Sequence, residues 1–489
     1  MTRSELMHGA RHVMASLGTV ALASGCAVGP DFHRPAAPAL SDYTRPSLAA
    51  TTASASIVGG EEQRFVREQH ISQQWWTLFA SPSLNTLLEK ALDASPTLVA
   101  AEAALRHAVE LVYAQQGAFY PTVQASFSPS RQRASATLSL PLSTDQLTYN
   151  LYTTQGSLTF VPDVFGGNRR QVESLRGLAD AQAFQLQLAY VTLTTSLVAA
   201  AIQEASLRAQ ISATHEIIDI STRSLALVRR EFELGAVARL DVAAQEAALA
   251  QVQQTLPPLQ KQLEQTRNLL AVLSGRFPND DPEETFDLAA LHLPQDLPVG
   301  LPSTLVERRA DVRAAEAQLH AASAQIGVAL ANRLPRFTIA AAYGGTSTAF
   351  TQMFANGNPF WSVAGNIAAT VFDGGTLLHQ QRAAEAAFEQ AAAQYRSTVL
   401  SAFQNVADAL HALQADAEAL KAAVAAEEAT KVTLDLTLAA QRLGAVNYLA
   451  LLSAQQAYQQ ALLTRVQAQA ARLADTVALF QALGGGWKW

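Results

Sequence analysis

Two very long stretches of this sequence contain no proline. Residues 169–234 contain a single glycine, Gly177, and residues 377–443 contain no glycine. Both stretches are rich in alanine, which favours helices that pack closely. A helix of ~65 residues is a rod of about 100 Å. We therefore expect a chain organised around two helices much longer than those of ordinary globular domains.

The second stretch has the apolar spacing of a coiled coil. Its large apolar residues, with alanines at 392 and 417, are separated by steps of three and four that alternate except at Phe403. A period of 3.5 residues over about five heptads is typical of a left-handed coiled coil. These residues are Phe388, Tyr395, Val399, Phe403, Val406, Leu410, Leu413, Leu420 and Val424.

The two halves of the chain repeat the same landmarks. Three short motifs recur in the same order at an offset of about 210 residues. An ordered repeat predicts two copies of one structural unit. The pairs are AEAAL (101–105) and AEAQL (315–319), PDVFGG (162–167) and ATVFDGG (369–375), and LGAVARL (234–240) and LGAVNYL (443–449).

The repeat predicts how the chain is divided. We predict a signal peptide over residues 1–25, because a short apolar run follows basic residues and ends in small ones. An N-terminal extension follows over 26–80. Repeat one covers 81–277 and repeat two covers 303–489. The connector at 278–302 contains several prolines and cannot be one continuous helix.

Each repeat also contains a region of strand-like alternation, at ~121–166 and ~335–372. Alternation of apolar and polar residues predicts a sheet with one apolar face, as in an outer-membrane barrel. A soluble β-sandwich gives the same pattern, so both alternatives stay open on this signal alone. The apolar members are Val123, Ala125, Phe127, Leu147, Tyr149, Leu151, Leu158, Phe160, Phe337, Ile339, Ala341, Tyr343, Trp361, Val363, Ile367, Ala369 and Val371.

Two strands per repeat give four per chain. A sheet in lipid must close because its backbone groups must all be paired, and four strands are too few to close. Three copies would form a 12-stranded barrel, continued by a hollow cylinder of long helices about as deep as a periplasm. The predicted fold is thus mixed α and β, mainly α, with a trimeric β-barrel and a helical tunnel.

Features outside this pattern are few. Pro257 and Pro258 are expected to interrupt the helix after the first long stretch. Beyond the leader, no run reaches ~18 uncharged apolar residues, so we expect no membrane-spanning helix. The net charge of −7 argues against nucleic acid as a partner. HExxH, GxSxG and P-loop motifs are absent, so we expect no enzymatic activity, no cofactor and no metal.

Cys26 is the only cysteine, so it cannot form an intrachain disulfide. Small residues precede it directly, and this resembles the lipobox of bacterial lipoproteins, although Ala23 stands where a branched residue is usual. The resemblance implies acylation at Cys26 and attachment to a membrane lipid layer.

Taken together, the motifs resemble the outer-membrane efflux factors, the TolC-like family, and in particular the lipoprotein branch that serves RND-type systems. The family usually has Arg-Pro-Asp where this chain has Arg309-Ala310-Asp311. The resemblance implies a homotrimeric channel in the outer membrane, with a periplasmic adaptor and an inner-membrane pump as partners. The matching stretches are GCAVGPDF (25–32), WW (75–76), ERRADVRAAE (307–316), IGVALANRLP (326–335), VFDGG (371–375), YRSTVLSAFQNVADAL (395–410) and ALGGGW (482–487).

The turns between the long helices and their partners are the predicted functional tips. Glycine suits a tight reversal between helices, and each turn has one. The resemblance implies that the tips contact the adaptor through Gly235, Ala236, Val237, Leu240, Gly444, Ala445, Val446 and Leu449.

A gate at the tip is also implied. Arg239 and Asp241 are candidates for links that hold the tip shut. Family members often have acidic residues after the second turn, whereas Ala450 and Ser453 stand here.

The predicted function is export of small toxic compounds to the exterior through this tunnel. Two alternatives remain from the sequence. One is a duct for protein export of type I secretion, and the other is a non-conducting lipoprotein scaffold of the cell envelope.

Overall fold

The structure is a computed structural model. It describes residues 27–40, 42–45, 49–67, 71–133, 147–280, 283–299 and 302–486. Cys26, the predicted signal peptide and Trp487 of the C-terminal motif lie outside these residues.

Helices dominate the described residues, and the two predicted rods are each one continuous helix of 67 residues. Each rod is followed by a 35-residue helix. The helices are α1 (Pro82–Ala94), α2 (Pro96–Gln116), α3 (Gly167–Glu233), α4 (Arg239–Leu273), α5 (Pro302–Arg308), α6 (Ala310–Ala331), α7 (Thr376–Arg442) and α8 (Tyr448–Ala482).

The strands form two sheets. A small parallel pair joins β1 to β4, and an antiparallel sheet has the order β2-β3-β5-β6. Its strands have 10 to 13 residues, long enough to cross a bilayer when tilted. The strands are β1 (Arg64–Arg67), β2 (Thr122–Arg133), β3 (Thr148–Phe160), β4 (Asp296–Val299), β5 (Arg336–Ser347) and β6 (Pro359–Ala368).

The register of the four-stranded sheet defines an apolar face. Cross-strand partners point to the same side of a sheet. Val123 pairs with Leu158, which pairs with Ala341, which in turn pairs with Val363. The same face carries further apolar residues from all four strands, and we call it the apolar face. These residues are Phe127, Phe160, Phe337, Ile339, Tyr343, Trp361 and Ile367.

Two details of the strand prediction are wrong. Tyr149 and Leu151 lie on the opposite face from Leu158. Strand β3 continues without a bulge, so its odd-numbered residues lie on one face and its even-numbered residues on the other. β6 ends at Ala368, so Val371 belongs to the connection to α7, where it is 98% exposed.

Each long helix is preceded by an aspartate that binds free backbone N–H groups at the start of the helix. The carboxylate of Asp163 accepts hydrogen bonds from the N–H groups of Asn168 and Arg169, each at 2.9 Å. The carboxylate of Asp373 accepts from Gly375 and Leu377 at 2.8 Å. These aspartates belong to the repeated PDVFGG and VFDGG motifs, whose role is therefore to start the rods.

The predicted break at Pro257 and Pro258 does not occur. Helix α4 passes through both prolines. Proline's fixed φ fits a helix, and the local cost is two missing N–H donors. Gln253 and Gln254, whose carbonyls lose those donors, are exposed, so water can hydrate the freed carbonyl groups.

The chain divides by contacts into two compact units. The strand unit contains residues 27–34, Ala104–Gln182 and Ala315–Tyr395. The helical unit contains Pro35–Ala103, Ala183–Ala314 and Arg396–Trp489. The division into repeats and connector predicted from sequence stays a prediction.

The core of the helical unit explains the WW motif. Trp75, Trp76 and Phe79 are buried in a short 3-10 helix. The Trp75 ring stacks on Phe480 of α8 with ring centroids 5.0 Å apart. The predicted heptad residues of α7 are also mostly buried, with Val406, Leu413 and Leu420 fully so. Each buried aliphatic side chain of this size contributes roughly 1.5–3 kcal/mol.

Gly177, the one glycine of the first rod, lies where two helices of the strand unit approach closely. A Cβ atom there would lie 3.0 Å from the carbonyl oxygen of Ala317 and 3.1 Å from the Cβ of Ala321. Glycine therefore allows α3 to pack tightly on α6.

Among the described residues, α3 is long and apolar enough in one 18-residue window to cross a bilayer, and more than half of that window is buried. Buried core helices of proteins that do not cross a membrane meet the same criterion of length and composition.

Candidate functional site

The two predicted tip turns have the same backbone geometry. Gly235 and Gly444 both adopt positive φ, at 78° and 72°. In each turn, the glycine N–H donates to the carbonyl three residues back and the following alanine N–H donates to the carbonyl five residues back, all at 2.9 Å. This is the Schellman arrangement that ends a helix. A Cβ on either glycine would meet nothing within 4 Å, so backbone conformation alone requires glycine.

Exposed leucines surround both turns. Leu234 and Leu240 in the first turn are 70% and 77% exposed, and Leu443 and Leu449 in the second are 85% and 65% exposed. Ala236, Ala445 and Val446 are also exposed, whereas Val237 is half-buried. Clustered exposed apolar side chains are typical of a contact surface for another protein.

The helices after the two turns are capped differently. In the first turn, the Asp241 carboxylate accepts from the Ala238 N–H at 3.0 Å, and Ala238 has no side-chain acceptor of its own. In the second, the Asn447 side chain accepts from the Ala450 N–H at 3.0 Å. Asp241 thus has a local role in the turn. The gate role predicted for Arg239, which is exposed, and for Asp241 stays a prediction.

Side-chain hydrogen bonds join the two turns to each other. The buried Tyr448 hydroxyl donates to the side-chain oxygen of Gln245 on α4. The Gln441 amide donates to both carboxylate oxygens of Glu231 at 3.1 and 3.2 Å. An apolar cluster from α3, α4, α7 and α8 lies behind these bonds. The structure therefore brings all eight predicted contact residues to one end of a four-helix arrangement.

Charged side chains at the turn end of the four helices shift the pKa values of their neighbours. Burial raises the pKa of Tyr448, and the carboxylates of Asp241 and Glu231 raise it further. The hydrogen bond from the Arg229 guanidinium lowers the pKa of Glu246. Tyr448 therefore stays protonated and acts as a hydrogen-bond donor at every physiological pH.

The four-stranded sheet has two open edges. β2 and β6 each pair with one neighbour, so one side of each strand has unpaired backbone groups within the described residues. Every residue of β2 is exposed in the single chain. Such long unpaired edges cannot lie in a bilayer without a further strand.

The segment after Cys26 is bound to the base of the strand unit. The Val28 N–H donates to the Phe165 carbonyl at 3.0 Å, in the connection that follows β3. The buried Arg170 guanidinium donates to the Val28 and Gly29 carbonyls and pairs with Asp31 at 2.8 Å. The chain just after Cys26 is thus fixed beside the helix-joined end of the sheet. The role of Arg170 was not predicted from the sequence. The available signal was the GPDF motif, which contains its partners Gly29 and Asp31.

The sequence profile of the outer membrane efflux protein family matches residues 87–276 and 301–485. The chain belongs to this family. A pyoverdine export outer membrane protein of Pseudomonas putida, OpmQ, is 32% identical over 85% of this chain and 88% of its own length. The toluene efflux pump outer membrane protein TtgC of Pseudomonas putida is 28% identical over 96% of this chain and 94% of its own length.

Solved structures agree with this assignment. The outer-membrane channel OprN has a TM-score of 0.84 and 29% identity, over 94% of this chain and all of that chain. The Campylobacter jejuni CmeC outer membrane channel has a TM-score of 0.84 at 20% identity, over 95% of this chain and 96% of that chain, which supports the fold alone. This efflux protein is therefore an outer-membrane component of an efflux system and extends into the periplasm, and the family is not enzymatic.

The family motif around Arg309 has a structural role in this efflux protein. Arg309 forms two hydrogen bonds with Asp311, at 3.0 and 2.7 Å. It also donates to the Ala482 carbonyl at the end of α8, at 2.7 Å. Ala310, where the family usually has proline, is the first residue of α6, a position at which either residue fits. Within the described residues, no group of three His, Cys, Asp or Glu side chains could hold a metal ion.

Proposed function

We propose that this efflux protein works as a homotrimer and forms the exit duct for small compounds delivered by a periplasmic adaptor and an inner-membrane pump of RND type. The observation that carries the proposal is the four-stranded sheet with one apolar face and two open edges. A single copy leaves both edges unpaired in lipid, whereas three copies give 12 strands in one closed barrel.

The two edge strands, β2 and β6, have suitable lengths for this closure. β2 has 12 residues and β6 has 10, and both match the length needed to cross the bilayer with a tilt. Pairing β2 of one copy with β6 of the next continues the antiparallel order. The apolar face then faces lipid, and the opposite face, with Gln124, Ser126 and Ser157, lines a hydrated lumen.

The lipid anchor at Cys26 is part of the proposal. Val28 and Gly29 are held beside the end of the sheet that joins the helices, which is the periplasmic end. Cys26 is two residues from Val28, so an acyl chain on it would reach the inner leaflet of the outer membrane directly. Mass spectrometry of the N-terminal peptide tests this, and an unmodified Cys26 in the mature protein contradicts it.

The tips are proposed as the adaptor contact. The exposed leucines at 234, 240, 443 and 449 offer an apolar surface that water alone covers in the single chain. We expect Leu240→Glu combined with Leu449→Glu to reduce efflux strongly while the protein still reaches the outer membrane. Leu269→Glu is the matched control, because Leu269 is exposed on α4 far from the turn.

The cargo class follows from the relatives. OpmQ is named for pyoverdine export and TtgC for toluene efflux, and both are small molecules. We propose small toxic or secreted compounds as the cargo here.

Two measurements test the function. Deleting the gene should increase sensitivity to drugs and solvents, and purified protein should conduct ions in a planar bilayer. A deletion strain that secretes less of a particular protein but keeps its drug tolerance would indicate a protein export duct. Purified protein that never conducts, even after the tip is loosened by Tyr448→Phe, would indicate a scaffold.

A further inference from the structure

The four strands that cross the membrane contain only three charged residues, and all three are arginines. β2 carries Arg131 and Arg133, and β5 carries Arg336, while β3 and β6 carry no charge. The whole chain has a net charge of −7, so this positive bias in the sheet is not a general property of the sequence.

The register separates these arginines by face. Arg131 and Arg133 have the same parity as Val123 and Phe127, so they lie on the apolar face. Arg336 pairs with Ala368, while its neighbour Phe337 pairs with Ile367 on the apolar face. Arg336 therefore lies on the opposite face, which the proposed barrel turns toward its lumen.

Height along the strand separates them further. The helices join the sheet at Thr122, Phe160, Arg336 and Ala368, and the efflux protein extends into the periplasm, so these ends are periplasmic. Arg131 lies eight residues beyond Val123, which is about 26 Å along the strand and about 20 Å in height at a tilt of ~40°. Arg133 lies about 25 Å above Val123. The apolar band of a membrane barrel is also ≈ 25 Å tall.

An aromatic cluster lies directly below the two arginines. The Phe350 ring contacts Phe127 and Tyr152 edge-on, with ring centroids 5.8 and 6.0 Å apart. Phe127 and Tyr152 are on the apolar face, and the next cross-strand pair above Tyr152 on that face is Arg131 with Asn150.

Arg131 and Arg133 lie on the lipid face near the upper limit of this apolar band, and their cross-strand partners Asn150 and Thr148 are uncharged. An arginine on the lipid face costs about 2–4 kcal/mol at the midplane and little at the interface. Arg131 and Arg133 are two positions apart on one strand, so their Cα atoms are about 7 Å apart and both side chains leave the same face. Arginine binds phosphate groups through paired N–H donors.

We infer that Arg131 and Arg133 bind the phosphate groups of the glycolipid in the outer leaflet, lipid A. Each copy would carry one such site on the outer rim of the barrel. The site fixes the height of the barrel in the membrane through an electrostatic contact that the apolar band alone does not supply. The inference rests on the outer-membrane location and is independent of the cargo or pump.

Binding of lipid A to the purified full-length protein tests the inference. Native mass spectrometry compares bisphosphorylated lipid A with its dephosphorylated form. We expect the wild-type protein to bind the phosphorylated form at least tenfold more tightly. Arg131→Gln combined with Arg133→Gln should abolish this preference, while Arg131→Lys combined with Arg133→Lys should keep only part of it, because lysine keeps the charge and loses the paired donors. Arg336→Gln is the matched control and should leave the preference unchanged.

Equal binding of both lipids to the wild type overturns the inference, and so does a phosphate preference that survives the double glutamine change. If that double variant fails to insert, the single variants Arg131→Gln and Arg133→Gln replace it. Each should lose part of the phosphate preference, and an unchanged preference in both overturns the inference.

Discussion

The two long helical hairpins of this efflux protein have the same frame and different polar interiors. Hairpin one, α3 with α4, and hairpin two, α7 with α8, both pair a 67-residue helix with a 35-residue helix. Both reverse through a Schellman turn at a glycine. Their buried charges, however, are arranged in opposite ways.

Hairpin one buries a carboxylate between positive charges. Glu204 is fully buried, and one of its oxygens lies 2.7 Å from the Arg208 guanidinium and 2.8 Å from that of Arg267. A buried charge is tolerated because opposite charges and hydrogen bonds compensate for its desolvation.

Hairpin two brings like charges together. The carboxyls of Asp416 on α7 and Asp475 on α8 share a hydrogen bond, and burial together with Asp416 raises the pKa of Asp475 to about 7. Arg472, one turn away, is fully buried, and its Nε and Nη1 atoms have no hydrogen-bond partner among the described residues. The comparison teaches that duplication can preserve helix lengths and turns while each copy solves its polar packing separately.

The largest expected effect comes from hairpin one. Arg267→Met should lower the free energy of unfolding by roughly 3 kcal/mol, because Glu204 stays buried and keeps only one of its two guanidinium partners, Arg208. Chemical denaturation followed by far-UV circular dichroism measures the loss. Adding Glu204→Gln to Arg267→Met should recover much of it, since the buried negative charge that has lost one partner is then removed.

Arg465→Met in hairpin two is the matched control for this comparison. Arg465 pairs with Glu427 at 2.7 Å, but both side chains are about one fifth exposed. Its loss should cost about 1 kcal/mol. Equal losses in the two hairpins would contradict the contrast drawn between them.

The next effect concerns the contact that joins the hairpins. Tyr448→Phe should cost roughly 1–3 kcal/mol, because it leaves the buried side-chain oxygen of Gln245 without its donor. Tyr458→Phe is the control, since that hydroxyl bonds Glu216 at a longer 3.3 Å. Thermal unfolding of both variants ranks the two contacts, and a larger loss at Tyr458 would refute the ranking.

The carboxyl pair of hairpin two predicts that stability depends on pH. Between the ordinary Asp pKa of 3.8 and about 7, the folded chain holds a proton that the unfolded chain releases. Stability should therefore fall as the pH rises from about 4 to about 7, and then level off. Because the pair is partly exposed and screened by water, the fall should be at most roughly 2 kcal/mol.

Asp475→Asn should remove this slope and stabilise the protein at pH 8. Asp408→Asn, an exposed aspartate on the same helix as Asp416, should keep the slope. Melting temperatures of the wild type and both variants, measured between pH 4 and pH 8, test this prediction. If the melting temperature of Asp475→Asn still falls with rising pH, the carboxyl pair is not the source of the pH dependence.

Much of the frame could be predicted from the sequence because it depends on local rules. The absence of proline predicted both rods, and Gly235 and Gly444 predicted both turns. Period-two alternation placed Val123, Phe337 and Trp361 on one face, as the register confirms. The continuous helix through Pro257 was not predicted, because whether freed carbonyls meet water depends on tertiary exposure.

The buried polar contacts between helices could not be predicted from the sequence. Glu204 and Arg267 are 63 residues apart, and Asp416 and Asp475 are on different helices, so no short spacing relates either pair. Tyr448 and Gln245 also come from different halves of the chain. Such contacts depend on the angle and register between helices, which composition and periodicity do not determine.

The smallest effect tests whether the turns differ only in their caps. Asn447→Ala should cost about 1 kcal/mol, because the Ala450 N–H loses its side-chain acceptor and keeps only the backbone carbonyl of residue 447, at 3.2 Å. Ala238 occupies the equivalent position in the first turn with the extended backbone of an N-cap residue. Ala238→Asn should therefore add about 0.5–1 kcal/mol, because the new side chain can accept from the Asp241 N–H while the Asp241 carboxylate still binds the N–H at 238. Hydrogen exchange of the first-turn amides in α4 and α8 resolves the two ends separately. If Ala238→Asn slows no exchange in α4 while Asn447→Ala speeds it in α8, the two turns differ in more than the capping side chain.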